Sequence, residues 1–252
     1  MKTLRIKNVV LGEGEPKICV PVVAENIEKV KEQAKYITAN DMPVDLIELR
    51  IDYLDNYNDS CYINDVVQVV KEVTDKPVIL TFRTGFEGGM RDISRENYAR
   101  LLLDILKENV TDILDLELFT GDDYVRQIVD KAHECNVKII MSNHDFDNTP
   151  DSEEIVSRLD KMDKMGADIV KIAVMPHDAR DVITLLSATE KAVRIIDKPV
   201  VTMSMSGLGL ISRLSGEIFG SAITFGAVKE ASAPGQIDVN SLRCVLDIIH
   251  NN

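Results

Sequence analysis

The chain has 252 residues, 45% hydrophobic and 28% charged, with a net charge of −13 at neutral pH. That length fits two small domains or one of barrel size, and the negative balance argues against nucleic acid or an anionic membrane as a partner, since each calls for a basic face. No run approaches the eighteen or more apolar residues of a membrane span, and the N-terminal stretch has neither an apolar h-region nor a small-residue cleavage site. The four cysteines (Cys19, Cys61, Cys135 and Cys244) form no CxxC pair. A cytoplasmic protein with free, mostly buried thiols is expected. In chain order, TLRIKNVVLGEGEPKI (3–18) predicts a β-hairpin turning at Gly12-Glu13-Gly14. Eight short runs rich in Val and Ile follow: KICVPVV (17–23), VDLIELRID (44–52), PVILTFR (77–83), DILDLEL (112–118), VKIIMSNHDF (137–146), DIVKIAVMP (168–176), PVVTMSM (199–205) and SAITFGAVK (221–229). Their length and β-branched content predict strands. Between them, segments such as ENIEKVKEQAKYI (25–37), SRENYARLLLDILKEN (94–109), DDYVRQIVDKAHEC (122–135) and DSEEIVSRLDKMDKMG (151–166) place apolar residues at helical spacing. Asp151 opens the last of these, with Glu153 and Glu154 in its first turn, and Gly166 closes it. SLRCVLDIIH (241–250) supplies a final helix.

Strand and helix alternating eight times, without a linker or composition break, predict one (β/α)8 TIM barrel domain over residues 1–252. A doubly wound open sheet would want a GxGxxG turn after the first strand, and VPVVAEN (20–26) has none. The leading hairpin would cap the N-terminal mouth of the barrel.

Barrel enzymes build their sites where the strands end at the C-terminal face. The second predicted strand ends with Glu48, Arg50 and Asp52, spaced by two so that all three face one side. Arg83 ends the third strand, with Glu87 in the loop beyond it. His144 ends the fifth, and Lys171 lies within the sixth. Met203 and Met205 end the seventh, Arg213 follows it, and Ser232 and Gln236 lie in the loop after the eighth. Lys171, inside an apolar run, has two readings. Either it snorkels to water from an edge strand, or it is a desolvated amine placed to act as a nucleophile. Charged groups gathered at one end of five strands make a common pocket the simpler account. There Lys171 would form an imine with a ketone or aldehyde, His144 would transfer protons, and Glu87 would orient His144. Arg213 would clamp a carboxylate. No HxH, HExxH or comparable grouping suggests a metal. A sugar-phosphate aldolase, with SGLG (206–209) as a phosphate cradle, shares much of this logic, and a catalytically silent barrel kept as a binding protein is the rival from another class.

Several longer stretches carry a family likeness: ELRID (48–52), TFRTGFEGG (81–89), DLELFTGDD (115–123), MSNHDF (141–146), KIAVMP (171–176), TMSMSGLGLISRLSGEIFGS (202–221) and TFGAVKEASAPGQI (224–237). In this order, over essentially the whole chain, they resemble the type I 3-dehydroquinate dehydratases. The resemblance implies dehydration of 3-dehydroquinate to 3-dehydroshikimate, the third step of the shikimate pathway towards chorismate and the aromatic amino acids, without metal or cofactor. It implies an imine at Lys171 and proton transfer by His144, oriented by Glu87. Glu48, Arg50 and Arg83 would contact ring hydroxyls, and Arg213 the carboxylate. Met203 and Met205 would line the substrate pocket, with Ser232 and Gln236 closing over it. A homodimer is also implied, with a small molecule as its ligand and neither nucleic acid nor membrane as partner. One departure is Pro21, where many members carry Ser.

Overall fold

Leu4–Ile6 (β1) and Val9–Leu11 (β2) pair antiparallel around a two-residue loop, Lys7-Asn8, with Lys7 at φ 51°. The hairpin therefore turns earlier than Gly12-Glu13-Gly14. Those residues instead lead out of the hairpin, with Gly12 and Gly14 at φ 81° and 64°. Alternation decides the matter: reversal at 7–8 brings Leu4 and Ile6 opposite Leu11 and Val9, so that their side chains share one face. The computed structural model describes residues 3–39, 42–108, 110–228 and 237–252.

Eight parallel strands follow: β3 (Lys17–Val22), β4 (Leu46–Arg50), β5 (Val78–Thr81), β6 (Ile113–Glu117), β7 (Lys138–Asp145), β8 (Ile169–Val174), β9 (Val200–Ser204) and β10 (Ile223–Phe225). Each falls inside one of the runs predicted from sequence. They pair in the order β10-β3-β4-β5-β6-β7-β8-β9. A parallel bridge between Val200 and Ser221, with the Ala222 N–H donating to the Val200 carbonyl at 2.8 Å, brings the last strand back to the first. The helices are α1 (Ile27–Ala39), α2 (Ser60–Val73), α3 (Arg95–Leu106), α4 (Asp122–Glu134), α5 (Ser152–Lys164), α6 (Ala179–Ile195), the short α7 (Leu210–Leu214) and α8 (Gly216–Phe219), and α9 (Val239–His250). The start of α5 follows its sequence signals: the Asp151 carboxylate accepts the Glu154 N–H at 2.8 Å. Its end is followed by Gly166 at φ 93°. No helix among the described residues is long and apolar enough to cross a membrane.

The period of two along each strand separates two cores. Residues such as Ile47, Leu49, Leu80, Leu116, Val170 and Ile172 face outward and pack under the helices. Leu46, Ile79, Ile113, Ile140 and Ile169 face inward and form an apolar floor with Ile6, Val9 and Leu11 of the hairpin. The hairpin thus caps the N-terminal mouth. Two residues further along the same inward rows stand Glu48, Thr81, Asp115, Ser142 and Lys171, all buried. The barrel interior is consequently apolar below and polar above. All four cysteines are free, but only Cys19 is buried; Cys61 and Cys244, on α2 and α9, are exposed because those helices turn them away from the barrel.

Candidate active site

Lys171 lies on β8 with its side chain 4% exposed. Its Nζ is 3.5 Å from Asp115 Oδ2 and 3.9 Å from Glu48 Oε1, and sits 4.8 Å from the centroid of the Phe225 ring. Neither edge exposure nor snorkelling applies. Lys171 is an interior, ion-paired amine. Asp115 is completely buried. Burial by itself would raise its carboxyl, but Arg83, Lys171 and the Ser142 hydroxyl hold it below the ordinary aspartate range. Ser142 Oγ donates to Asp115 Oδ1 at 2.7 Å, and Arg83 Nη2 to the same oxygen at 2.8 Å.

In the parallel register of β7 and β8, Ser142 pairs with Lys171 and His144 with Ala173. His144 therefore stands one inward step above the amine, nearer the open mouth. Its Nδ1 lies 2.9 Å from Glu87 Oε2, which also accepts the His144 backbone N–H at 3.0 Å. Burial, then the charges of Arg83, Lys171 and Arg50, hold the imidazole well below its ordinary pKa. It is neutral at neutral pH. Burial and the neighbouring Glu117 carboxylate push Glu87 up to about 8, against the pull of Arg83 and Asn143. Separated charge is thus disfavoured in this pair, as expected where water is excluded.

The loop that presents Glu87 is tightly built. Thr84 donates both its N–H and its hydroxyl to Glu117, at 2.9 and 2.8 Å, and its carbonyl accepts the Glu87 and Gly89 N–H groups. A Cβ on Gly89 would lie 1.8 Å from the Arg83 carbonyl oxygen, so only glycine fits there. Arg50 forms a bidentate pair with the buried Asp52, at 2.9 and 2.8 Å. Arg83 is held by Asp115, Glu117 at 3.0 Å and Ser142 at 3.0 Å. Both guanidinium groups are fixed before any ligand arrives. Arg213, on α7, is 2% exposed, and burial lowers it to about 10, still charged at neutral pH.

Glu48, Arg50, Arg83, Glu87, His144, Lys171, Met203, Met205 and Arg213 all line one cavity of about 170 Å³, with Phe146 and Phe225 at its walls. The structure therefore brings these nine expected residues together; Asp52, expected to face the same side as Glu48 and Arg50, lies in the turn after β4, fully buried and paired with Arg50, and does not line the cavity. Ser232 and Gln236 lie outside the described residues, as do the ends of two expected elements, Asn109 and Lys229. Pro21 is buried in β3 opposite Glu48 and is not among the residues lining this cavity. An amine, an imidazole–carboxyl pair and a buried guanidinium around one cavity can hold an anionic carbonyl compound and move its protons.

A sequence model of the type I 3-dehydroquinase family matches residues 18–252. The chain belongs to that family. It is 47% identical over 251 residues to the 3-dehydroquinate dehydratase of Listeria welshimeri, covering 99% of each chain. It is 46% identical over 253 residues to that of Clostridioides difficile, covering 100% of this chain and 98% of the relative. Among solved structures, it is similar to the type I 3-dehydroquinate dehydratase of Clostridium difficile with covalently modified comenic acid (TM-score 0.94, 46% identity, 99% of this chain and 98% of that one). The enzyme of Geobacillus kaustophilus is likewise similar (TM-score 0.94, 35% identity, 99% and 97%). These relatives are hydro-lyases, and the family match replaces the aldolase reading. The likeness to 3-hexulose-6-phosphate synthase, at 18% identity and a TM-score of 0.57, is one of fold alone.

Within this type I 3-dehydroquinase, sequence reasoning missed Asp115 and Glu117. The signal was present: DILDLEL sets two acids two residues apart in an apolar strand, the same spacing that singled out Glu48, Arg50 and Asp52. It missed Asn143 as well, because that residue faces away from the cavity.

Proposed function

We propose that this chain dehydrates 3-dehydroquinate to 3-dehydroshikimate through an imine at Lys171. The observation that carries the proposal is the buried Lys171 amine in the same cavity as the His144–Glu87 pair and Arg213. The Lys171 ammonium gives up a proton, its amine adds to the substrate ketone, and the proton returns to the departing hydroxyl, so that water leaves and an iminium remains. His144 Nε2 then removes the α-proton, and the electron pair moves into the C–N system. As it returns, the β-hydroxyl leaves with a proton from His144, and hydrolysis frees the product and the amine. Glu48 and the fixed Arg50 and Arg83 face the ring hydroxyls, and Arg213 holds the carboxylate. The C. difficile relative, whose structure holds covalently modified comenic acid, supports covalent chemistry in the family. The same reading assigns the shikimate pathway, a cytoplasmic location and a homodimer, the last measurable by light scattering in solution. Incubation with 3-dehydroquinate should raise the ultraviolet absorbance of a conjugated product. A flat trace from folded protein would sink the proposal.

The carboxylate assignment has its own measure. Arg213→Ala should weaken substrate binding by roughly tenfold to a hundredfold, the loss of one charge-assisted contact worth ~1.5–3 kcal/mol. An effect within about twofold would place the carboxylate elsewhere.

The pH dependence follows from the dyad. His144 presents a basic Nε2 when its Nδ1–H donates to ionised Glu87; a protonated Glu87 would donate to Nδ1 and reverse the tautomer. Because Glu87 is raised to about 8, kcat/KM is expected to rise with pH as the pair loses its proton in that region. Glu87→Gln should lower activity and flatten this limb. An unchanged limb in that variant would assign it to another group.

A further inference from the structure

Beside the substrate cavity, and sharing Glu87 and His144 with it, lies a second cavity of about 390 Å³ lined from the ends of β5, β6 and β7, the start of α3 and Arg158 of α5. Asn143 and Arg158 line it, and neither touches the substrate cavity. Asn143 Nδ2 donates to Glu87 Oε1 at 3.2 Å. Arg158 Nη1 donates to Asn143 Oδ1 at 3.0 Å. Arg158 is itself held by Glu154 Oε1 at 2.7 Å, by Asp145 Oδ2 at 3.6 Å and over the Phe119 ring at 5.6 Å.

A guanidinium can only donate, so the atom of Asn143 that meets Arg158 must be the carbonyl oxygen. The amide NH2 is then compelled to face Glu87. Three of the groups that meet the Glu87 carboxyl can only donate: Asn143 Nδ2 on Oε1, and on Oε2 the His144 backbone N–H and, at 3.5 Å, Arg83 Nη1; the fourth, His144 Nδ1, donates or accepts according to its tautomer. We propose that Asn143 and Arg158 are positioning residues, Arg158 locking the Asn143 amide so that it holds Glu87 as the acceptor of the His144 Nδ1–H. This rests on the reading of His144 as the proton-transfer group. Other charges bearing on Glu87 are Glu117 and Asp115, which disfavour its ionised form. Asn143 opposes them from the helix side.

The test is kcat and KM across pH for wild type, Asn143→Leu, Arg158→Gln and Arg158→Lys, with thermal melts alongside. Leu keeps the branched shape and heavy-atom count of Asn143 without its donor, and the melts show whether the fold is retained. Loss of one donor to a carboxylate raises its pKa, so in Asn143→Leu the acid limb of kcat should move up by roughly half a unit or more, with KM little changed. Arg158→Gln, which can accept as well as donate, should move it in the same direction. Arg158→Lys, still donor-only, should restore the wild-type limb. Profiles that superimpose on wild type, or a drop uniform at every pH with a lowered melting temperature, overturn the proposal. A wild-type enzyme that yields no borohydride-trapped imine at Lys171 overturns the Schiff-base reading instead, and is scored separately.

Discussion

Borohydride added during turnover is expected to inactivate the enzyme and leave the substrate covalently attached at Lys171. An imine is reducible, whereas a non-covalent complex is not. Peptide mass spectrometry locates the adduct; no adduct, or one on another lysine, refutes the assignment. Lys171→Ala should abolish both the adduct and nearly all turnover, because the α-proton would be removed with no electron sink. By strand pattern alone, a methyl at this position leaves no polar group unpaired. The fold adds a cost. Asp115 Oδ2 has no hydrogen-bond partner, and Lys171 is its ion-pair partner at 3.5 Å. Removing that partner should destabilise the variant by roughly 1–3 kcal/mol, while Arg83 and Ser142 still hold Oδ1. The variant should fold with a lowered melting temperature. A melting temperature equal to wild type would mean that Asp115 finds another partner.

His144→Ala separates proton transfer from imine formation. Without Lys171 no covalent species forms at all. Without His144 the amine can still attack the ketone, while elimination and hydrolysis lack their acid–base group. General acid–base catalysis is worth ~10²–10⁴-fold, so turnover should fall at least that far while a covalent imine accumulates. Intact mass, after mild borohydride where needed, would show it, and the trapped protein should melt higher than the free variant. The substitution spares the rest of the site, since Glu87 keeps the backbone N–H of residue 144 at 3.0 Å and the Asn143 amide at 3.2 Å. Near-normal turnover would make His144 structural. Complete absence of the imine would place His144 earlier, in forming the Schiff base.

Much of the architecture is legible in the chain because its signals are local. Short Val- and Ile-rich runs alternating with helical periods specify eight strands and their order, and the period of two, with polar residues such as Glu48 and Arg50 set towards the strand ends, specifies what faces inward. That is enough to gather Glu48, Arg50, Arg83, His144 and Lys171 at one end of a barrel. The hairpin was also legible, though its turn was misplaced: glycine content pointed to 12–14, whereas the side chains that must share a face are satisfied only by reversal at 7–8.

What tertiary structure decided is which groups meet across the barrel. Asp115 lies 32 residues from Arg83, its partner at 2.8 Å, and Glu87 lies 57 residues from His144. No periodicity within a segment encodes such pairs; strand register and the closing of the sheet set them. So Lys171, which the chain shows only as a lysine among apolar residues, turns out to be paired with two carboxylates above an apolar floor. Asn143, which the strand period turns away from the cavity, is brought back to the dyad by a loop folding over the strand end and an arginine from the next helix. Local patterning determines which side chains enter the interior. Only closure of the barrel, by placing distant strands side by side, determines the charge each of them meets there.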